Sequence, residues 1–311
     1  MSGIIRGMPP RLSIVIVNWN SGTYLRENLD SLRRENDLDG VEVLVVDNAS
    51  ADDSTAAVED YPGVRLITFE EIRGFAAAAN AGARSARAPL LLFLNPDMTH
   101  TPGNVQRLLG AFDACPGAAG GCGLLREAAG RPQEHFQLRR LPSPAWALAD
   151  LFLPAGAKAR WPILRRHFYG GRAWDRPFPV EQPAAACLLL RKEVFDEIGG
   201  FDEGFLPAWF EDVDLCRRLH QAGHRLWFFP QAEFVHAGGY SVSHLRRGEF
   251  LTVYWANARR YYRKHHPLFG RLYGALLPAG FAVRALAAAG QPAERQAWRE
   301  VRAHFREGCG G

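Results

Sequence analysis

The chain has 311 residues, of which 47% are hydrophobic and 23% charged, and a net charge of +4. That length can bury a sizeable core in one large domain or in a domain with an appendage, and the composition excludes disordered, collagen-like and coiled-coil chains. The charge is unevenly placed: from Arg246 onward 12 Lys and Arg face 4 Asp and Glu, while residues 1–245 hold 25 basic and 29 acidic residues.

Leu12–Val17 is a nearly continuous apolar run and predicts a buried strand; Leu25, Leu29 and Leu32 then recur at helical spacing. Val41–Val46 predicts a second strand, stopping at Asp47, and Val64–Ile67 a third. An Ala-rich stretch from about Phe75 to Arg87 predicts a helix, and Leu90–Leu94 a fourth strand ending at Asn95-Pro96-Asp97. Pro102 stands where the next helix begins, with Leu108, Leu109 and Phe112 on one face. Residues 125–180, rich in Pro, Arg and aromatics, have weak periodicity and are expected to form a long, partly irregular insertion near the site. Cys187–Leu190 predicts a short buried strand, followed by a helix through Val194, Phe195 and Ile198 that ends at Gly199-Gly200. A helix from near Glu211 to Gly223 precedes a last strand, Leu226–Phe229, and beyond Arg246 the chain reads as helical and basic. Apolar strands alternating with helices indicate an α/β fold, with a mostly parallel sheet covered on both faces. The expected organisation is one domain over residues 11–245 and a helical appendage over 246–311.

The five cysteines (Cys115, Cys122, Cys187, Cys216, Cys309) are odd in number and form no CxxC pair, which argues for a reducing compartment and against a disulfide framework or structural zinc. Ile14–Val17 is too short for a secretory leader. No stretch reaches the ~18 uncharged apolar residues of a membrane span. Leu272–Ala289, broken by Pro278 and Arg284, reads as a helix lying on a membrane or packed on the body. The basic tail has two readings: a surface drawn to phospholipid headgroups or a lipid diphosphate, or a solvated helical face. The expected location is the cytoplasm, with peripheral contact on the cytoplasmic face of the inner membrane.

Open parallel sheets bind ligands at the carboxyl ends of their strands. Here two strand ends present carboxylates, in Asp47-Asn48-Ala49-Ser50 and Asn95-Pro96-Asp97. Helix capping and turn formation account for Asp47 as well as ligand binding does; a second carboxylate at the neighbouring rim favours a site. A carboxylate-held Mg²⁺ or Mn²⁺ would neutralise charge growing on a departing diphosphate. The densest acidic cluster, Phe210-Glu211-Asp212-Val213-Asp214-Leu215, opens a helix, where the dipole favours acids and where like charges suit one member to general-base work. Phe205, Trp209 and Phe210 read either as a sugar platform or as core. His236, in Phe234-Val235-His236-Ala237-Gly238-Gly239, reads as structural or as an imidazole ligand. Neither GxGxxG nor GxxxxGK[ST] occurs, which counts against dehydrogenases and P-loop NTPases.

In order, the chain carries Ser13-Ile14-Val15-Ile16-Val17-Asn18-Trp19-Asn20, Val45-Val46-Asp47-Asn48-Ala49-Ser50, Gly74-Phe75 through Asn80, and Leu94-Asn95-Pro96-Asp97. Cys187 to Arg191, Gly199-Gly200-Phe201-Asp202, Phe210 to Cys216, and Val235-His236 follow. This set resembles the family 2 glycosyltransferases of the GT-A fold, and most closely their bacterial rhamnosyltransferase-like branch. The resemblance implies that Asp212 is the base of an inverting transfer, with Glu211 and Trp209 toward the acceptor. It implies Asn18, Asp47, Arg73, Gly74, Asn80 and Asn95 around the nucleotide sugar, with Asp97 and His236 on Mg²⁺ or Mn²⁺. The implied donor is a dTDP- or UDP-sugar and the implied acceptor a glycan or lipid-linked sugar; no nucleic-acid partner is expected. Three positions depart from the pattern. Asn95-Pro96-Asp97 supplies one carboxylate where the fuller motif has two, Arg73 stands where a small or amide residue is common, and Ala184-Ala185-Ala186 where glycine is common. The competing functions are a sugar nucleotidylyltransferase, which would need a Gly-rich basic loop near the N-terminus, and a noncatalytic carbohydrate-binding relative, against which the intact Glu211-Asp212 pair argues.

Overall fold

The apolar runs of the first hundred residues form the strands expected of them. The structure is a computed structural model and describes residues 9–153, 162–238 and 245–307; Gly239 and Cys309 lie outside the described residues. Strand β1 (Leu12–Asn18) is buried along its whole length, as suits the centre of a parallel sheet. It leads to helix α1 (Tyr24–Glu35), which buries Leu25, Leu29 and Leu32, and then to β2 (Val41–Asp47) and the half-exposed edge strand β3 (Val64–Thr68). Helix α2 (Phe75–Ser85) presses Ala76–Ala79 against the sheet and stops two residues short of the expected Arg87. Next come β4 (Leu90–Leu94), β5 (Met98–His100), α3 (Asn104–Asp113) and β6 (Gly120–Arg126).

The insertion is more ordered than its sequence suggests. It contains β7 (Leu138–Arg139), α4 (Pro144–Phe152, capped by the Ser143 side chain) and β8 (Phe178–Val180), and β9 (Gln182–Pro183) follows directly. After β10 (Cys187–Arg191) and α5 (Lys192–Glu197), helix α6 (Glu211–Gln221) leads to β11. Strand β11 runs from Leu226 to His236, well past the expected Phe229, through a register shift between Phe229 and Glu233. Helices α7 (Arg247–His265), α8 (Pro267–Ala287) and α9 (Pro292–Glu307) complete the described chain.

The main sheet has nine strands in the order β3-β2-β1-β4-β10-β6-β11-β5, with β8 also paired to β11. Strands β1, β2, β3 and β4 are mutually parallel, and β10 runs antiparallel between β4 and β6. Asn18 pairs with Asp47 and Ile16 with Leu94, so the polar residues that follow β1, β2 and β4 emerge along one rim. Apolar clusters fill both faces of the sheet. A third cluster joins Phe205, Phe210 and Val213 to Trp255, Tyr261, Tyr273, Phe281 and Trp298 of the last three helices. The basic appendage therefore shares a core with the start of α6. The described cysteines are free thiols, and among the described residues no helix is long and apolar enough to cross a membrane.

Candidate active site

The rim at β1 and β2 is a polar knot. Asn18 Nδ2 donates to Asp47 Oδ1 (2.7 Å) and Ser54 Oγ (2.8 Å), and the Ser50 N–H donates to Asp47 Oδ2 (3.0 Å). Asn48 Oδ1 accepts the N–H groups of Arg73 (2.8 Å) and Gly74 (3.2 Å), which ties the 73–75 turn to the end of β2. Gly74 has φ +85°, and a Cβ there would sit 2.8 Å from the Pro207 carbonyl oxygen, so only glycine fits without displacing that segment. The Phe75 N–H donates to the same oxygen at 2.8 Å. Arg73 is half-exposed, lies over the Phe69 ring and reaches to 4.0 Å from Glu203. Asn80 is committed within the fold: its Nδ2 donates to the Phe201 carbonyl (2.9 Å) and to Glu203 (3.0 Å), and its Oδ1 accepts the Phe201 N–H.

Beside this rim, beyond Phe75, opens a cavity of about 670 Å³ whose walls include Asn95, Asp97, Trp209, Glu211, Asp212 and His236. Six of the residues singled out from sequence thus share one space. Asn18, Asp47, Arg73, Gly74 and Asn80 do not line it. Asp97 and His236 meet because β5 returns antiparallel on the end of β11. His236 Nε2 lies 3.3 Å from Asp97 Oδ1 and 3.3 Å from Asn95 Nδ2. The other ring nitrogen, Nδ1, is 2.8 Å from Gln133 Oε1, an acceptor, so Nδ1 carries the hydrogen and Nε2 offers its lone pair toward Asp97. The Gly238 N–H donates to Asp97 Oδ2 at 2.9 Å and fixes the carboxylate from behind. A bare imidazole nitrogen and a carboxylate oxygen turned to one point fit a divalent cation. Among the described residues no group of three or more His, Cys, Asp or Glu gathers to hold one.

Glu211 and Asp212 begin α6. The turn before them is strained: Trp209 and Phe210 have φ of 71° and 73°, a region that costs bulky residues of order 1–3 kcal/mol each. Packing from α7 holds it. Phe210 lies against Tyr254 (5.2 Å) and Tyr261 (5.7 Å), and Trp209 against Phe250 (4.8 Å). Asn257 Nδ2 donates to the carbonyls of Leu206 (3.1 Å) and Ala208 (2.8 Å). Of the three aromatics weighed for sugar stacking, Phe205 is fully buried and Phe210 nearly so, while Trp209 stays half-buried on the cavity wall.

Asp212 Oδ1 accepts the Val213 N–H (2.7 Å), and Oδ2 accepts Gln182 Nε2 (3.1 Å) and the Ala185 N–H (3.4 Å). Glu211 is buried with no hydrogen bond to Oε2. Burial, and then the charge of Asp212, push its carboxyl well above the ordinary range. Asp214 has a different occupation. Its Oδ1 lies 2.7 Å from both Lys264 Nζ and His265 Nε2, and its Oδ2 lies 2.8 Å from Arg218 Nε, bolting α6 to α7.

Sequence reasoning did not single out Gln133, Gln182, Arg139 or Tyr254. Gln133 and Arg139 belong to the insertion, Gln182 follows it and Tyr254 lies in the tail, and no periodic pattern or motif marks them; each touches a cavity residue or lines the cavity itself.

Residues 13–199 match the sequence profile of Glycosyl transferase family 2. N-acetylglucosaminyl-diphospho-decaprenol L-rhamnosyltransferase of Mycobacterium tuberculosis is 32% identical over 247 residues, covering 74% of this chain and 77% of that protein. Validoxylamine A glucosyltransferase of Streptomyces hygroscopicus subsp. jinggangensis is 31% identical, covering 87% of this chain and 65% of that protein. Among solved structures, the mannosyltransferase PcManGT of Pyrobaculum calidifontis, in complex with GDP-Man and Mn²⁺, superposes with a TM-score of 0.52 at 21% identity, over 96% of this chain and 85% of that one. GalNAc-T7 with UDP, GalNAc and Mn²⁺ gives 0.56 at 16% identity, over 79% and 47%. At those identities the likeness is one of fold, the GT-A fold. The nucleotidylyltransferase alternative falls away, and the chain belongs to glycosyl transferase family 2 as a rhamnosyltransferase-like glycosyltransferase.

Proposed function

We propose that this enzyme transfers a hexosyl group, rhamnose in the first instance, from a dTDP- or UDP-sugar to a hydroxyl of a lipid-linked or polysaccharide acceptor, with inversion at the anomeric carbon. The observation that supports it is the shared cavity: the Asp97–His236 pair and the Glu211–Asp212 pair line the same space. Asp212 takes the proton of the acceptor hydroxyl as its oxygen attacks the anomeric carbon; the bond from that carbon to the phosphate oxygen breaks, and its electron pair leaves with the nucleoside diphosphate. One base and one displacement need no covalent intermediate. Glu211, holding its proton, donates a hydrogen bond to a sugar oxygen, and Trp209 offers a ring face beside it. Asp47, held by Asn18 and Ser50, and the Arg73–Gly74 turn, held by Asn48, frame the nucleoside, with Asn80 setting the turn behind them. Asn95 lies by the diphosphate. Asp97 and His236 would hold Mg²⁺ or Mn²⁺, whose chemistry is to neutralise charge on the departing diphosphate.

Activity on a lipid-linked acceptor belongs at a membrane surface, on the cytoplasmic face. Helix α8 supports this: Leu268, Leu272, Val283 and Leu286 are exposed along one side of it, with Arg271 among them. The test of the whole reading is a panel of nucleotide sugars assayed for binding and for metal-dependent hydrolysis. One donor should stand out and require the cation. Equal, weak binding of all donors would defeat the proposal.

A further inference from the structure

A second cavity, of about 710 Å³, lies between α7 and α9 and shares no lining residue with the one that holds Asp212. Arg259, Arg260, Arg263 and Lys264 of α7 line it, with His304 of α9 and Asp202 from the loop after α5. Two of the four cations are spent. Lys264 Nζ lies 2.7 Å from both Asp202 Oδ2 and Asp214 Oδ1, and Arg260 Nη2 lies 3.4 Å from Asp202 Oδ1 with its guanidinium over the Phe205 ring. Asp202, the one carboxylate of the lining, is thereby matched. Arg259 and Arg263 are not: among the described residues neither makes an ion pair. The Arg259 Nε is buried without a hydrogen bond, and a Cβ on Gly274 of α8 would stand 3.1 Å from it, so that glycine leaves the guanidinium its room. The two arginines stand four apart on one helix, where like charges repel across a turn. A buried donor without an acceptor, in an uncompensated pair of guanidinium groups, marks a place that an anion completes. Planar forks that take two oxygens each suit phosphate.

Position selects the source of that phosphate. At 3.6 residues per turn, Arg271 of α8 stands between Gly274, which meets Arg259, and the exposed stripe of Leu268, Leu272 and Leu286. The cavity therefore lies toward one flank of the apolar stripe, where the headgroup of a lipid would sit if the stripe met its acyl chains. We infer that the cavity between α7 and α9 is a discrete site for the phosphate of an anionic phospholipid headgroup, with Arg259 and Arg263 as its ligands. The enzyme then docks by a built pocket and not by diffuse charge alone. The lipid as source rests on the membrane contact proposed above; the surplus of cations in the cavity does not.

The experiment is sedimentation with vesicles of phosphatidylcholine alone and of phosphatidylcholine with phosphatidic acid. Wild type should bind the anionic vesicles more tightly by about tenfold or more, and Arg259→Gln with Arg263→Gln should lose most of that difference. Arg299→Gln with Arg306→Gln removes the same charge from exposed positions of α9 outside the cavity, and should stay within about threefold of wild type. Melting curves check that both double variants fold, and turnover of a water-soluble acceptor should change by less than about twofold in either. Equal losses in the two double variants, or anionic binding unchanged in Arg259→Gln with Arg263→Gln, would overturn the inference. Calorimetry with inorganic phosphate separates the free ion from the headgroup. Tight phosphate binding that Arg259→Gln with Arg263→Gln abolishes, beside unchanged vesicle binding, would assign the cavity to a soluble ligand and overturn the headgroup. The membrane reading fails separately, when Leu268→Glu with Leu272→Glu leaves sedimentation unaltered.

Discussion

Three carboxylates within four residues do three different things, and their surroundings decide which. Glu211 is buried beside Asp212, and burial first and that neighbouring charge second push its carboxyl well above the ordinary range. Asp212 accepts N–H groups from a neutral amide and the backbone, with its oxygens at the cavity. Asp214 is a fastener: burial alone would raise its carboxyl, but His265, Lys264 and Arg218 outweigh that and bring it down to about 2. A folded pKa below the ordinary value stabilises the fold above the ordinary value, and the contribution fades as pH falls toward about 2. Of the stability that wild type loses between about pH 6 and about pH 3, Asp214 should account for about 1 kcal/mol, and Asp214→Asn should lack that component in denaturant titrations. At neutral pH the same variant should be less stable by roughly 3 kcal/mol, since Lys264 and Arg218 lose their anionic partner. Gln133 fixes which nitrogen of His236 is bare. Gln133→Leu should weaken Mn²⁺ activation about 10- to 100-fold, read as a shift of the metal titration midpoint, with little change in thermal stability. Asp97, Asp212 and His236 were legible in the sequence because each stands at a strand end or helix start beside a recognisable run. Gln133 and Gln182 were not, since an amide in an aperiodic stretch carries no signal until the fold brings it to its partner.

At the level of elements, α7 braces the strained turn that aims Glu211 and Asp212. Its Asn257 holds two carbonyls of that turn, and Tyr254 and Tyr261 back Phe210. Asn257→Ala should lower kcat about tenfold while donor affinity stays within a factor of about two, because loss of the brace misplaces the proposed base, Asp212, without touching the Asn18–Asp47 rim. Stopped-assay kinetics with donor titration separate the two effects. The parallel strands were readable because burial on both faces requires unbroken apolar runs. Strand β6 was not. Its Gly120, Gly121 and Gly123 form no apolar run to mark a strand, yet a Cβ at any of them would collide with the carbonyls of Leu189, Trp227 or Ala232 on the neighbouring strands. Strand β5 is three residues long and pairs with β11, so its formation depends on contacts far along the chain.

Across the whole molecule, the basic appendage has one side in the enzyme's core and another facing out. Its inner aromatics pack with Phe205, Phe210 and Val213, which ties it to the helix that opens with Glu211 and Asp212. On the outside, α8 leaves Leu268 83% and Leu286 76% exposed, with Leu272 and Val283 between them. Leu268→Glu with Leu272→Glu should cut sedimentation with vesicles of anionic phospholipid at least tenfold and leave turnover of a water-soluble acceptor near wild type. Unaltered vesicle binding would remove the membrane role of this face. The tail's charge was legible at once, but its burial was not, because its aromatic positions find their partners in distant segments. The account stands or falls on Asp212 as the group that takes the acceptor's proton. Asp212→Asn, assayed at saturating donor and acceptor with nucleoside diphosphate binding measured alongside, should lose on the order of 10²–10⁴ in kcat while binding stays within a factor of about three. Turnover within a few-fold of wild type would contradict it.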